Sequence, residues 1–173
     1  MMNFQEKEGK RLSVEAYKKI DRELKKYPED RKKSAVIAAL AIAQREVGFI
    51  EPWVELEIAN YLGMEEISVR EISSFYAMFN RDKIGKYKLT VCTNLPCALR
   101  NSRYTLDFLK DLLNIEVGGT TDDGLFTLKE GECFGACADA PVLLLNNDKM
   151  MSWMDEQSCK KLIQELKNRE ETE

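Results

Sequence analysis

Five cysteines and the absence of histidine limit the chemistry that this chain can support. Without histidine there is no Ser-His-Asp triad, no Cys-His pair, no histidine-bound zinc or haem and no Rieske centre. The sequence also lacks phosphate-binding loops of the G-x-G-x-x-G and G-x-x-x-x-G-K types, which predicts that the chain alone binds no nucleotide. The cysteines are therefore the groups through which it would bind a metal or transfer electrons.

Four of the cysteines fall into two pairs. Cys92 and Cys97 have the spacing C-x4-C, and Cys133 and Cys137 have C-x3-C, with residues 98–132 between the pairs. Soft thiolates select iron–sulfur clusters or tetrahedral zinc, and small residues inside the second pair let the chain wrap closely around a charged cluster. The spacing favours a [2Fe–2S] cluster with four cysteine ligands. Zinc and unligated cysteines remain open, whereas the absence of a C-x-x-C motif disfavours thiol–disulfide chemistry.

The elements predicted around the pairs bring them together. Residues 87–92 alternate like a strand, a helix has begun by about Ser102, and residues 125–129 form a second strand. A β-α-β crossover makes its two strands parallel and is almost always right-handed. Because Cys92 closes the first strand and Cys133 follows the second, we expect both pairs at the C-terminal end of one sheet.

The segment after the second pair predicts a hairpin and a last helix. Residues 142–145 and 150–154 have strand character and are separated by Asn and Asp residues that tolerate a positive φ. Asp155 is a candidate N-cap for a helix that would bury Cys159, where a free cysteine behaves as a small hydrophobic residue. Pro141 is a candidate for a cis-proline of the thioredoxin kind.

The first half of the chain predicts helices. The first helix is predicted to begin after a cap at Ser13, and the second to run from about Asp30 to Glu46 with Gly48 as its stop. The third is predicted to begin at Pro52 and to stop at Gly63. The fourth is predicted to begin at a capping box formed by Ser68 and Glu71. The alternation of apolar residues at 54–58 leaves a short strand open for the third segment. We therefore predict two domains, a helical arm or bundle over residues 1–84 and a cluster-binding domain over residues 85–173. The chain is α+β, and its second half has the order of an α/β unit.

Composition narrows the class of protein further. The chain has 173 residues, of which 44% are hydrophobic and 32% charged, enough for a core and a solvated surface. Its net charge of −4 disfavours nucleic-acid binding, which would require a basic patch. Residues 1–11 lack the apolar region of a secretory signal, and the longest apolar run, residues 35–43, is far shorter than the roughly 20 residues of a membrane span. These features predict a soluble, cytoplasmic protein without direct membrane insertion, where thiols stay reduced.

Motifs around the cysteines resemble a known family. The sequence D-G-L-F-T at residues 123–127, followed after five residues by C-F-G-A-C-A-D-A-P at residues 133–141, is similar to the signature of the complex I 24-kDa (E) subunit family. Residues 34–44, 76–80 and 85–93 also resemble that family, and the resemblance runs from about Ser13 to Leu166. The departures, at Ala38, Ala41 and Asn101, do not involve a candidate ligand.

The resemblance implies a thioredoxin-like [2Fe–2S] ferredoxin domain behind a helical arm, with one cluster bound by Cys92, Cys97, Cys133 and Cys137. It also implies a permanent partner, the flavin subunit that binds NADH and FMN, and contact with other peripheral-arm subunits of NADH:quinone oxidoreductase. In that enzyme the chain would be the subunit without a nucleotide site. It would exchange single electrons with the FMN, at the inner face of the cell membrane. The alternatives are a diaphorase subunit of an NAD-coupled hydrogenase or formate dehydrogenase, and a structural zinc-binding scaffold.

Overall fold

The computed structural model describes residues 10–170, which form two compact units divided between Lys83 and Ile84. The first unit is helical, and the second contains a mixed β-sheet with helices. Among the described residues, none of the helices combines the length and the apolar character needed to cross a membrane.

Helices fill the first unit. They are α1 (Val14–Leu24), a 3-10 helix (Glu29–Ala35), α2 (Val36–Val47), α3 (Pro52–Leu62) and α4 (Glu66–Phe75). Apolar side chains from all four α-helices meet in one buried cluster, which includes Ile20, Leu40, Ile58 and Val69. The predicted arm is therefore a helical bundle with a hydrophobic core of its own.

Single residues explain several helix ends in this bundle. Ser13 precedes α1, and its hydroxyl accepts a hydrogen bond from the backbone N–H three residues later, at 3.1 Å. Gly48 and Gly63 end α2 and α3 with positive φ values of 94° and 65°, which glycine adopts without a Cβ penalty. Pro52 opens α3, where its missing N–H would have no helical partner. These predictions are confirmed, and residues 54–58 are helical.

The second predicted helix is wrong at its start. Instead of one helix from Asp30, the chain forms the 3-10 helix, in which Arg31 has a non-helical φ of −119°, and α2 begins only at Val36. Residues 29–33 are all charged and exposed. No apolar face is buried there, so tertiary packing does not stabilise an α-helix over this segment.

The predicted capping box of Ser68 and Glu71 is also wrong. Helix α4 begins at Glu66, so Ser68 lies inside its first turn, and no side chain caps the helix. The carboxylate of Glu66 in the first turn instead interacts favourably with the helix dipole. The helix ends at Phe75, and the buried Phe79 follows it in the chain.

The second unit is built on a sheet with the strand order β2-β1-β3-β4. Its elements in chain order are β1 (Tyr87–Cys92), α5 (Leu95–Ala98), α6 (Ser102–Leu113), β2 (Phe126–Gly131), a 3-10 helix (Cys137–Asp139), β3 (Leu143–Leu145), β4 (Lys149–Met151) and α7 (Glu156–Glu170). β1 pairs in parallel with β2 and antiparallel with β3, which pairs antiparallel with β4. The predicted β-α-β unit, hairpin and last helix are confirmed.

Apolar residues of β1, β2, α6 and α7 form the core of this unit. The buried set includes Leu89, Leu109, Leu128, Ile163 and Cys159. Cys159 is fully buried, as predicted for a structural cysteine. This core packs the sheet against α6 and α7.

Local backbone conformation shapes the hairpin and the start of α7. Asn146 and Asn147 have positive φ values of 52° and 58°, as the predicted turn requires. The second hairpin strand ends before the predicted residue 154, because Trp153 has a positive φ of 50°. The carboxylate of Asp155 accepts a hydrogen bond from the N–H of Ser158 at 2.8 Å, which confirms the predicted cap of α7.

Candidate metal centre

The parallel pairing of β1 and β2 places both cysteine pairs at one end of the sheet. Cys92 is the last residue of β1 and lies opposite Gly131, the last residue of β2. Cys97 follows on the short helix α5, and Cys133 and Cys137 follow β2 directly. All the cysteines are free thiols.

The electrostatics of Cys97 indicate how closely the thiols are grouped. Burial raises the pKa of the Cys97 thiol to about 11, together with a hydrogen bond to Cys92 and the negative charges of Cys92, Cys137 and Cys133. Like charges act on a pKa in this way only at short range. The two pairs therefore lie near each other at this end of the sheet.

The four thiols differ sharply in exposure. Cys92 and Cys97 are each 1% exposed, whereas Cys133 and Cys137 are exposed. The buried pair packs with Ala140 and Val142 in a small apolar cluster, against which Phe134 and Ala136 also lie. The site consequently has a dry inner side and an outer side open to solvent or to another protein.

The loop of the second pair supplies a backbone donor to sulfur. The N–H of Gly135 donates a hydrogen bond to Cys133 Sγ at 3.4 Å. Gly135 has a positive φ of 76°, which the turn between the two cysteines requires. Backbone N–H groups directed at thiolates stabilise the negative charge of an iron–sulfur cluster and tune its potential.

Backbone hydrogen bonds fasten the segments that carry the cysteines. The N–H of Cys92 donates to the carbonyl of Val142 at 3.1 Å, and the N–H of Ala140 to the carbonyl of Cys137 at 3.4 Å. The Ala140–Pro141 peptide bond is cis, as proposed for Pro141 from the sequence. These contacts hold the loop of the second pair against the end of the sheet.

Gly131 is a closely packed position near the cysteines that sequence patterning missed. A Cβ added there would lie 2.7 Å from Phe134 Cζ and 2.7 Å from Thr90 Cγ2. A larger residue would force the Phe134 ring or the Thr90 side chain to shift at the end of β2. The signal in the sequence is a glycine at the end of a strand, where close approach of another group is a common cause.

The donor set fits a [2Fe–2S] cluster, which takes four thiolates and benefits from backbone N–H donors and partial burial. Within residues 10–170, no three or more His, Cys, Asp or Glu side chains have the arrangement that holds a metal ion. The fit therefore concerns the donor chemistry, which is that of four thiols at one end of the sheet. Cys159 stands apart in the core, where burial and the charge of Asp155 raise its pKa to about 12.

Comparison with known proteins agrees with this donor chemistry. Residues 20–167 match the family model of the thioredoxin-like [2Fe–2S] ferredoxins. The chain is 40% identical over 146 residues to the E subunit of NADH-quinone oxidoreductase from Rickettsia felis, covering 84% of this chain and 87% of that protein. It is 39% identical over 158 residues to the mitochondrial NADH dehydrogenase [ubiquinone] flavoprotein 2 of Dictyostelium discoideum, covering 89% of this chain but only 62% of that protein.

Solved structures share the fold at lower sequence identity. A crystal structure of an NAD⁺-reducing [NiFe]-hydrogenase in the air-oxidized state superposes with a TM-score of 0.68 and 18% identity, covering 83% of this chain and 24% of that chain. The H₂-reduced state gives a TM-score of 0.67. These matches confirm the predicted fold class of a helical region followed by a thioredoxin-like domain.

The predicted resemblance and the predicted cofactor, one [2Fe–2S] cluster, are confirmed by the family match together with the relatives. The chain belongs to the thioredoxin-like [2Fe–2S] ferredoxin family.

Proposed function

We propose that Cys92, Cys97, Cys133 and Cys137 hold the [2Fe–2S] cluster and that this chain is the electron-transfer subunit of an NADH:quinone oxidoreductase. The observation that carries the proposal is that the parallel register of β1 and β2 brings both cysteine pairs to one end of the sheet, with one pair buried and the other exposed. When bound, a [2Fe–2S] cluster supplies exchange of one electron at a time.

The two cysteine pairs would have different roles at the site. The buried Cys92 and Cys97, with the apolar wall of Ala140 and Val142, exclude water from the inner side. The exposed Cys133 and Cys137 form the outer side, across which electrons would pass to or from a neighbouring cofactor. Burial and hydrogen bonds to sulfur set the reduction potential of an iron–sulfur cluster. The difference in exposure between the two cysteine pairs would therefore both orient the cluster and tune its reduction potential.

The chemistry of NADH requires a partner chain. Oxidation of NADH delivers two electrons together, and a flavin can pass them on singly. This sequence has no dinucleotide-binding motif, so the NADH and FMN sites would lie on another subunit. The names of the relatives support assembly into such an enzyme, because the Rickettsia protein is a subunit of NADH-quinone oxidoreductase. The chain would then lie at the inner face of the cell membrane, held there by the complex.

The helical domain, residues 1–84, would bind the flavin subunit, and residues 85–173 would carry the cluster. Exposed large side chains lie at the end of α4 and just after it in the helical unit: Phe75, Tyr76 and Met78, of which Phe75 is 80% exposed. Exposed aromatic residues are typical anchors of protein interfaces. A permanent interface of this kind buries more than about 2,000 Å².

Ligand assignment is tested with serine variants of the full chain purified without oxygen. We expect Cys133→Ser and Cys92→Ser to lose or badly disturb the visible absorption and the EPR signal of the reduced protein, because each removes one iron ligand. The matched control is Cys159→Ser, which alters a buried cysteine of the core and should keep both signals. Normal spectra in Cys133→Ser, or a colourless wild-type protein containing one zinc ion, would refute the assignment.

The partner is tested by isolating the tagged chain from its native host. Co-purification of an FMN-containing, NADH-oxidising subunit supports the proposal. Recovery with hydrogenase or formate dehydrogenase subunits would assign the chain to a different NAD-coupled complex. The structural likeness to hydrogenase shows the fold alone and does not favour that outcome.

A further inference from the structure

Just past the end of β1, further hydrogen bonds join the two segments that carry the cysteines. The hydroxyl of Thr93, the residue after Cys92, donates a hydrogen bond to Glu130 Oε1 at 2.5 Å. The N–H of Thr93 donates to the carbonyl of Gly131 at 3.0 Å. Thr93 is thus bound to the end of β2 through both its backbone and its side chain.

The register of the sheet explains why these two side chains meet. Glu130 lies opposite Val91 in the parallel pairing, and Thr93 is two residues beyond Val91. Residues two apart on a strand point to the same face, so Thr93 and Glu130 share one face at the end of the sheet. Thr93 is buried, 8% exposed, and solvent competes little for its hydroxyl.

We infer that Glu130 is a positioning residue for the [2Fe–2S] cluster, acting through Thr93. Glu130 holds the segment from Cys92 toward Cys97 against the segment that leads into Cys133. The inference rests on the proposed ligand set, because it concerns the relative placement of the two cysteine pairs.

The physical reason lies in how the site is assembled. The two pairs are separated by residues 98–132, and a four-thiolate site forms only when both segments are held in one arrangement. Ordering them at the moment of binding would lower the affinity for the cluster. A hydrogen bond to a carboxylate is among the stronger polar contacts in a protein, and this one joins the residue after Cys92 to a residue three positions before Cys133.

A neighbouring carboxylate provides the matched comparison. Glu132 lies even closer to Cys133 in sequence and, like Glu130, is exposed, but its contact is a longer hydrogen bond from Asn94 Nδ2, at 3.5 Å. If a negative charge near the cluster were all that mattered, Glu130 and Glu132 would be equivalent. If the contact with Thr93 matters, only Glu130 is required.

The experiment measures cluster loss in the reconstituted full chain. The visible absorbance is followed in the presence of a chelator for the wild type, Glu130→Ala, Thr93→Val and the double variant. We expect each single variant to lose the cluster about tenfold faster, and the double variant no faster than either, because both remove the same contact. Glu130→Gln keeps an acceptor for the hydroxyl and should recover much of the wild-type rate.

Two further readouts separate positioning from general destabilisation. The EPR spectrum of the reduced cluster should change in the same way in Glu130→Ala and Thr93→Val, since the same ligand segment shifts in both. Glu132→Ala should stay within about threefold of the wild-type rate. A wild-type rate in Thr93→Val, or equal loss in Glu132→Ala and Glu130→Ala, would overturn the inference. Neither result would affect the ligand assignment, which is tested separately by the spectra of Cys133→Ser and by the metal content of the wild type.

Discussion

At the scale of single residues, Trp153 has the least favourable backbone conformation next to the site. Its φ is 50°, in the left-handed region that costs a residue with a Cβ about 1–2 kcal/mol. Within the described part of the chain, the other non-glycine residues with positive φ are all asparagine. The N–H of Trp153 donates a hydrogen bond at 2.8 Å to the carbonyl of Asp139, which lies two residues after Cys137. The unfavourable conformation of Trp153 therefore occurs where its backbone binds the loop that carries the second cysteine pair.

We predict that Trp153→Asn raises the free energy of unfolding by about 1 kcal/mol. Asparagine tolerates the left-handed region, and little packing is lost because the indole is 61% exposed. Urea unfolding of the wild type and the variant measures the difference. Trp153→Phe is the control and should not be stabilised, since phenylalanine retains the strain. A lower stability in Trp153→Asn would show that packing of the indole outweighs the backbone.

At the scale of elements, the start of β1 depends on the close approach of two backbones. A Cβ on Gly85 would lie 2.8 Å from the carbonyl oxygen of Leu125 and 2.9 Å from that of Gly124. The next residues are already bound there, because the N–H of Lys86 donates to Gly124 and the N–H of Tyr87 to Leu125. The clash therefore involves backbone that cannot move without breaking the β1–β2 pairing.

We predict that Gly85→Ala lowers the free energy of unfolding by about 2–3 kcal/mol, at the upper end of the range for overpacking. Gly118→Ala is the control. It has no atom within 4 Å of the added Cβ but a φ of 89°, so only backbone strain of about 1 kcal/mol applies. Thermal or urea unfolding gives both values, and equal losses in the two variants would contradict the steric explanation.

The elements also show which parts of the site can be predicted from sequence. Alternation in β1 and β2 and the crossover between them are local patterns, and together they suffice to bring Cys92 and Cys133 to one end of the sheet. The contact of Thr93 with Glu130 cannot be found in this way, because it depends on the register between strands. The grouping of the cysteines is therefore predictable, whereas the residues that support them are not.

Some predictions of where a helix starts are wrong because tertiary packing, which local sequence does not show, decides the start. Ser68 has the residue type and spacing of a capping box, but α4 begins earlier, at Glu66, where its apolar residues can reach the core of the bundle. Burial outweighs a capping preference of about 1 kcal/mol. The predicted cap at Ser13 is confirmed because a helix that begins after Ser13 also buries the apolar face of α1.

At the scale of the whole molecule, several surface carboxylates make stability depend on acid pH. Hydrogen bonds from Ser13 hold the pKa of Glu46 below its usual value, and those from Ser158 do the same for Asp155. The pKa of Glu170 is likewise lowered, by hydrogen bonds from Lys86 and Tyr87. These groups lie in both units, so acid should weaken the bundle and the cluster-binding domain together.

The direction follows from proton linkage. A carboxyl whose pKa is lower in the folded state stabilises the fold at pH values above its unfolded pKa, about 4, and loses that contribution as the pH falls through the folded value. We therefore predict that the urea midpoint is nearly constant from about pH 7 to pH 5 and declines below about pH 4. Asp155→Asn isolates one carboxyl, because asparagine still caps α7 but carries no charge. The variant should be less stable than the wild type at neutral pH, and the difference should vanish in strong acid, where Asp155 is protonated. A difference that persisted at low pH would assign the effect of Asp155 to cap geometry instead of charge.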